Sequence, residues 1–334
     1  MRAHPQSRRP ARKRPGLVLA ALGLGWLVAL AAATLLGSQS LDLGAALTGD
    51  GKAATILWQL RLPRALLALL VGGVLASSGL AFQSLFRNAL AEPYTLGVAG
   101  GAALGAVLAL AAEVPGGLLG VGIAAFLGAL AATAIVVGLS FSRQGTEIST
   151  LLLAGVAVSV STTALILFVQ YFSDPNRTFQ IVRWMMGGLA VVGYREVLWL
   201  LPWALGLALL LGAHRWELNL LLTGEETAAA RGVDLSRLRL VVLGGVSLAV
   251  GALVAVAGPI GFVGLIVPHA VRSLVGHDQR HLLPGCLLAG GIFLALSDLG
   301  ARTVASPTEL PVGILTAAAG GPFFLWLLFT RRRG

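Results

Sequence analysis

The sequence predicts an all-α, polytopic membrane protein of about ten transmembrane helices. Three observations predict it. Of 334 residues, 57% are hydrophobic and 11% charged; the mean hydropathy is +0.87; and the runs 17–36, 65–86 and 310–329 carry no charge. A soluble domain of this length has no core large enough to hide so much apolar surface, which leaves lipid as the outer solvent. About 20 apolar residues, at about 1.5 Å each, cross roughly 30 Å of hydrocarbon.

The first span is expected at 17–36, behind a tail (1–16) that carries six basic residues. It reads as a retained helix, because it is too long for a signal-peptide core and Gly37-Ser38-Gln39 is a poor cleavage site. Polar or Pro/Gly punctuation then separates spans at 65–86, 94–112, 117–139, 148–172, 197–213, 238–257, 260–275, 282–300 and 310–330. The eighth is short and entered through Gly258-Pro259, with Pro259 suited to a first helical position; a partly re-entrant path fits its length. Residues 331–334 form a basic end.

The net charge of +10 would point to nucleic acid in a soluble protein, but here its location matters more. With the N-terminus inside, 17 Lys and Arg fall on the cytoplasmic side and seven outside: Lys52, Arg61, Arg64, Arg177, Arg183, Arg195 and Arg302. This bias satisfies the positive-inside rule and puts both termini in the cytoplasm. Gly97, Gly101 and Gly105 are spaced four apart, and Gly258, Gly261 and Gly264 three apart. Such spacing suits tight helix packing or a moving pathway lining.

The longest cytoplasmic connection, 215–239, contains LLTGEETAAARGVDLSRLR. Thr223 is placed to cap a short helix with Glu225 and Glu226 in its first turn, and Gly232 to stop it. From periodicity alone this is either a solvated connection or a docking element.

Several chemistries are missing. Ion-coupled transporters need ionisable groups near mid-membrane, each costing roughly 2.5–3.5 kcal/mol to insert, and the segment centres carry essentially none. Polar groups inside are Gln83, Gln170 and the cluster Ser159, Ser161, Thr162 and Thr163, whose hydroxyls either line a pore or bond their own backbone. No G-x-x-x-x-G-K-[ST] loop, H-E-x-x-H pair or G-x-S-x-G turn is present. The chain therefore has no nucleotide site of its own and no catalytic residue is expected. His277 and His281, four apart near a turn, read as a polar loop or a metal pair; the lone Cys286 reads as packing.

Motifs along most of the chain resemble the FecCD-type permeases, the membrane subunits of importers for ferric siderophores, haem and cobalamin. They include LRLPRALLALLVGGVLASSG from Leu60, LFRNALAEPYTLGVAGGAALGA from Leu85, LLLAGVAVS from Leu151 and RWMMGGL from Arg183. GEETAAARGV from Gly224, GPIGFVGLIVPHAVR from Gly258, DQRHLLPGCLLAGG from Asp278 and ELPVGILTAAAGGPFFLWLL from Glu309 continue the series. Ala89 departs from the family's usual proline, which bears on the loop between spans two and three.

The resemblance implies a type II importer permease fold in the inner membrane. It implies a homodimer with two ATP-binding-cassette ATPases inside and a substrate-binding protein outside. No cofactor or metal is expected on this chain, since ATP is used by the partner. Gly224, Glu225, Glu226, Ala229 and Gly232 match ATPase-coupling helices. Arg61, Arg64 and Arg302 match arginines that meet acidic groups of the binding protein, with snorkelling anchors as the alternative. Asn88 and Leu90 match a loop near the inner gate, and Ser159, Ser161, Thr162 and Thr163 the neighbourhood of the translocation path. Family frequency puts an iron chelate first and cobalamin next, although RWMMGG and LLPGCLLAGG resemble cobalamin permeases. The competing class is an ion-gradient-driven transporter or channel, with a membrane enzyme behind it.

Overall fold

A computed structural model describes residues 14–37, 42–48, 51–94, 96–115, 117–141 and 148–331. Predictions on the tail up to residue 13, on Arg143 and on residues 332–334 lie outside the described residues. Among these residues all regular structure is helical.

Helix α1 (Pro15–Leu35) begins with proline in its first turn, where the absent N–H costs nothing. After a short α2 (Leu43–Thr48) comes a continuous helix of 35 residues, Gly51–Leu85. It comprises α3 (Gly51–Thr55), a π-helical stretch (Ile56–Arg61) and α4 (Leu62–Leu85). Pro63 cannot serve the carbonyl of Gln59 four residues earlier, and the widened turn resolves this. Leu62 N–H reaches back to Leu57 O, while Gln59 O accepts from Gly193 N–H at 2.7 Å.

Nearly all of α4 is buried, because small residues let its neighbours come close. A Cβ on Gly72 would lie 2.1 Å from Gly290 O, and one on Gly79 2.1 Å from Gly264 O. The helices carrying those glycines are α13 (Val263–Val275) and α14 (Gln279–Thr303). The hairpin of α5 (Val98–Ala111) and α6 (Leu118–Phe141) uses the same device: Gly101 meets Gly128, and Gly105 meets Ala124. Of the predicted glycine stripes, Gly101, Gly105 and Gly264 are thus packing positions, whereas nothing lies near Gly261.

Helix α7 (Ile148–Phe172) packs on α5 and α6 and leaves Val156, Val160, Leu167, Phe168 and Tyr171 exposed. The amphipathic α8 (Pro175–Met185) is capped by Asp174, which accepts from Asn176 N and Arg177 N. Then follow α9 (Arg195–Ala213), α10 (Arg215–Leu221), α11 (Glu225–Ala230) and α12 (Leu235–Ala257). The last helix is α15 (Val312–Arg331).

Each of the ten predicted spans falls on one helix. Seven helices among the described residues are long and apolar enough to cross a membrane, and Val98–Ala111, Val263–Val275 and Val312–Leu325 are shorter apolar ones. At about 1.5 Å per residue α13 reaches only about 20 Å, short of a full crossing. Pro259 is not its first residue: the chain runs non-helically from Gly258 (φ +65°) to Phe262 (φ +69°), and the helix starts at Val263. That break is covered by protein. Gly188 N–H donates to Ala257 O at 2.8 Å, and Gly187 and Gly313 pack against Pro259 O, so the irregular backbone is buried in protein, the setting in which a membrane protein tolerates it.

Candidate functional site

Chemistry-bearing side chains collect at the two ends of α4, about 30 Å apart by helical rise. At its first turn Arg64 holds Asp298 of α14 through Nε (3.1 Å) and Nη2 (2.9 Å), and Glu309 through Nη1 (2.7 Å). Arg302, one turn beyond Asp298, closes on the same carboxylate at 3.1 Å. The remaining donors tie down the C-terminal end of α1, where carbonyls have no helical partner: Arg302 Nη2 reaches Ala33 O at 2.9 Å and Arg61 Nη1 reaches Leu35 O at 2.8 Å. Asp298 is 1% exposed, so the knot is a buried charge cluster.

The three arginines matched to binding-protein docking therefore sit inside the bundle, directed at Asp298, Glu309 and helix-end carbonyls. Arg61 and Arg302 are 7% and 4% exposed, a placement that suits a clamp on α1, α4 and α14 better than a free docking surface. Neither Asp298 nor Glu309 was singled out from sequence, though Asp298 lies inside a predicted span at i−4 from Arg302.

The opposite end of α4 closes in a Schellman turn. Asn88 N–H donates to Gln83 O at 3.2 Å and Arg87 N–H to Ser84 O at 3.4 Å, with Arg87 at φ +49° in the left-handed position that glycine usually fills. Asn88 Oδ1 then accepts from Leu90 N–H at 2.9 Å. This Asx turn shapes the loop around Ala89 without the proline. Beside it lies a cavity of about 520 Å³ lined by Gln83, Arg87, Leu222, His269, Arg272 and His277, among others. Among the described residues no group of three or more His, Cys, Asp or Glu comes together as metal ligands.

Beyond the cavity, α10 and α11 form a platform. The predicted cap is corrected here: Thr223 Oγ1 donates back to Leu220 O at 2.7 Å, and Gly224 (φ +128°) takes the N-cap position before Glu225, with no side-chain cap. Gly232 (φ +84°) ends it as expected, with Val233 N–H returning to Ala228 O at 3.1 Å. Glu225 pairs with Arg239 of α12 at 2.7 Å, and Ala228 and Val233 are buried. Glu226, Ala229 and Gly232 are left exposed.

The hydroxyls of α7 are split between faces. Thr162 is buried against Gly100, and Ser161 and Thr163 are exposed. Thr162 and Thr163 both donate to Ser159 O, at 3.0 and 2.8 Å, and Ser159 Oγ lies 3.4 Å from Tyr94 O. Local backbone bonding thus takes up two of them.

The FecCD transport family matches residues 21–330. The vitamin B12 import system permease protein BtuC of Shigella boydii serotype 18 is 41% identical over 318 residues, covering 94% of this chain and 95% of that protein. The protein of the same name from Salmonella typhimurium is 41% identical over 334 residues, 99% of each chain. A solved inward-facing structure assigned to a metal-chelate type ABC transporter superposes with a TM-score of 0.86 at 34% identity, covering 94% of this chain and 99% of that one. A structure of PsaBC from Streptococcus pneumoniae in complex with Fab, at 17% identity, 85% and 94% coverage and a TM-score of 0.52, shares the fold alone. On the family match and the near-full-length relatives, the chain belongs to the FecCD transport family.

Proposed function

We propose that this chain is the permease subunit of an ATP-binding-cassette importer for cobalamin. It works as a homodimer with two ATPases on the α10–α11 platform and a substrate-binding protein at the Arg64 end. The observation that carries the reading is the platform: a short helix braced by Glu225–Arg239 and buried through Ala228, presenting a small-residue face to a partner. In this arrangement both termini are cytoplasmic, and the exposed face of α7 lines the path between two copies. ATP drives alternating access only as far as the ATPases bind one permease conformation better than the other.

The preference for an iron chelate gives way to cobalamin because the relatives above are named for vitamin B12 import. Ion coupling is disfavoured by Asp298, a buried carboxylate already held by two arginines. The test is uptake in proteoliposomes holding the permease, its ATPase and its binding protein, with cobalamin, a ferric siderophore and haem offered in parallel. ATP-dependent cobalamin uptake is expected; uptake by the permease alone without ATP would overturn the reading.

A further inference from the structure

A line of side-chain hydrogen bonds runs from the platform into the last turn of α4. Asn219 of α10 donates from Nδ2 to Asp278 Oδ1 at 2.9 Å and accepts from Gln279 N–H at 3.0 Å, so it grips the start of α14. Gln279 turns inward, 2% exposed, and its Nε2 donates to Ser84 Oγ at 2.7 Å. The adjacent Gln83, 3% exposed, donates to Gly264 O at 2.9 Å and accepts from Arg272 Nη2 at 3.0 Å. Gln83 and Ser84 also supply the two carbonyls that close the turn leading to Asn88 and Leu90.

Buried amides need partners, and elsewhere in these helices hydroxyls find theirs one turn back on their own backbone. Ser84 has such a partner, donating to Leu80 O at 2.9 Å. Its bond from Gln279 is therefore not needed to satisfy the hydroxyl; it serves to fix α14 against α4. Displacement of α10 acts on Asp278 and the Gln279 backbone, and the Gln279 side chain carries it to the residues that shape the 86–90 turn.

We propose that Gln279 is a positioning residue that couples the α10–α11 platform to the turn at the end of α4, converting movement of the platform into movement of Asn88 and Leu90. This rests on the importer reading of the platform. Coupling through a bonded chain of this kind requires that both ends bias one two-state element, here the α4 turn.

The test uses the full complex in proteoliposomes, with ATP hydrolysis and cobalamin uptake measured together for wild type, Gln279→Leu, Ser84→Ala and the double variant. Gln279→Leu keeps the volume and deletes the bond; Ser84→Ala deletes it from the other side with little change of shape. Both singles are expected to assemble with the ATPase and hydrolyse ATP within about twofold of wild type, while uptake per ATP falls about tenfold. The double variant is expected to be no worse than either single. Unchanged uptake per ATP in either single, or parallel loss of hydrolysis and uptake in both, overturns the coupling role and leaves the importer reading standing. Absence of ATP-driven uptake in wild type overturns both together.

Discussion

Arg64 and Asp298 meet through two guanidinium nitrogens although 234 positions separate them in the chain. The contact joins the first turn of α4 to the far end of α14 and, through Arg302, to the end of α1. Removing the carboxylate charge with Asp298→Asn leaves the buried Arg302 without its ion-pair partner and Arg64 with Glu309 alone. A loss of about 3–5 kcal/mol is expected, read as a lowered unfolding midpoint in detergent. Glu309→Gln removes only the half-exposed partner, and under about 1 kcal/mol is expected. Equal losses would show that the cluster is not organised around Asp298.

Gly72 faces Gly290 with no room for a methyl group. Gly72→Ala must push α4 from α14, at a cost on the order of 3 kcal/mol. Gly212→Ala in α9, where nothing lies within 4 Å, is expected to be neutral or to gain up to about 1 kcal/mol from helix propensity. Thermal unfolding of the two variants side by side checks the contrast.

Arg87 holds a left-handed conformation at φ +49°. Glycine adopts it freely, so Arg87→Gly is expected to raise stability by about 1 kcal/mol, while Arg87→Ala removes the same charge without the gain. A gain in both variants would assign the effect to charge instead of backbone.

Glu92, in the loop between α4 and α5, has its carboxyl pushed up to about 7 by burial. Between the ordinary carboxylate range and pH 7 the unfolded chain releases this proton and the folded one keeps it, so stability falls as pH rises through that window. Glu92→Gln is expected to flatten this part of the pH–stability profile and to be more stable than wild type at pH 8. Coincident profiles would show that the folded state accommodates the charge.

Much of the fold was legible because its cause is local. Ten apolar runs found ten helices, and the stop at Gly232 needed only a residue at ease with positive φ. Local reasoning failed where a nearer rival took a side chain, or where a distant segment covered a break in the backbone. The Thr223 hydroxyl turned back to Leu220 O instead of capping α11, and Pro259 sits in a break that Gly187 and Gly313 cover. The family resemblance singled out Arg61, Arg64 and Arg302 as docking arginines but not what holds them.

By itself, the sequence determined the all-helical fold class, the places of the ten apolar segments and the family, since hydrophobic length and motif order are written along the chain. Tertiary structure decided the partners. Asp298 for Arg64, Ser84 for Gln279 and Gly290 for Gly72 are each about 195 or more positions away, and a buried polar group or a missing side chain specifies that it needs a neighbour without specifying which one.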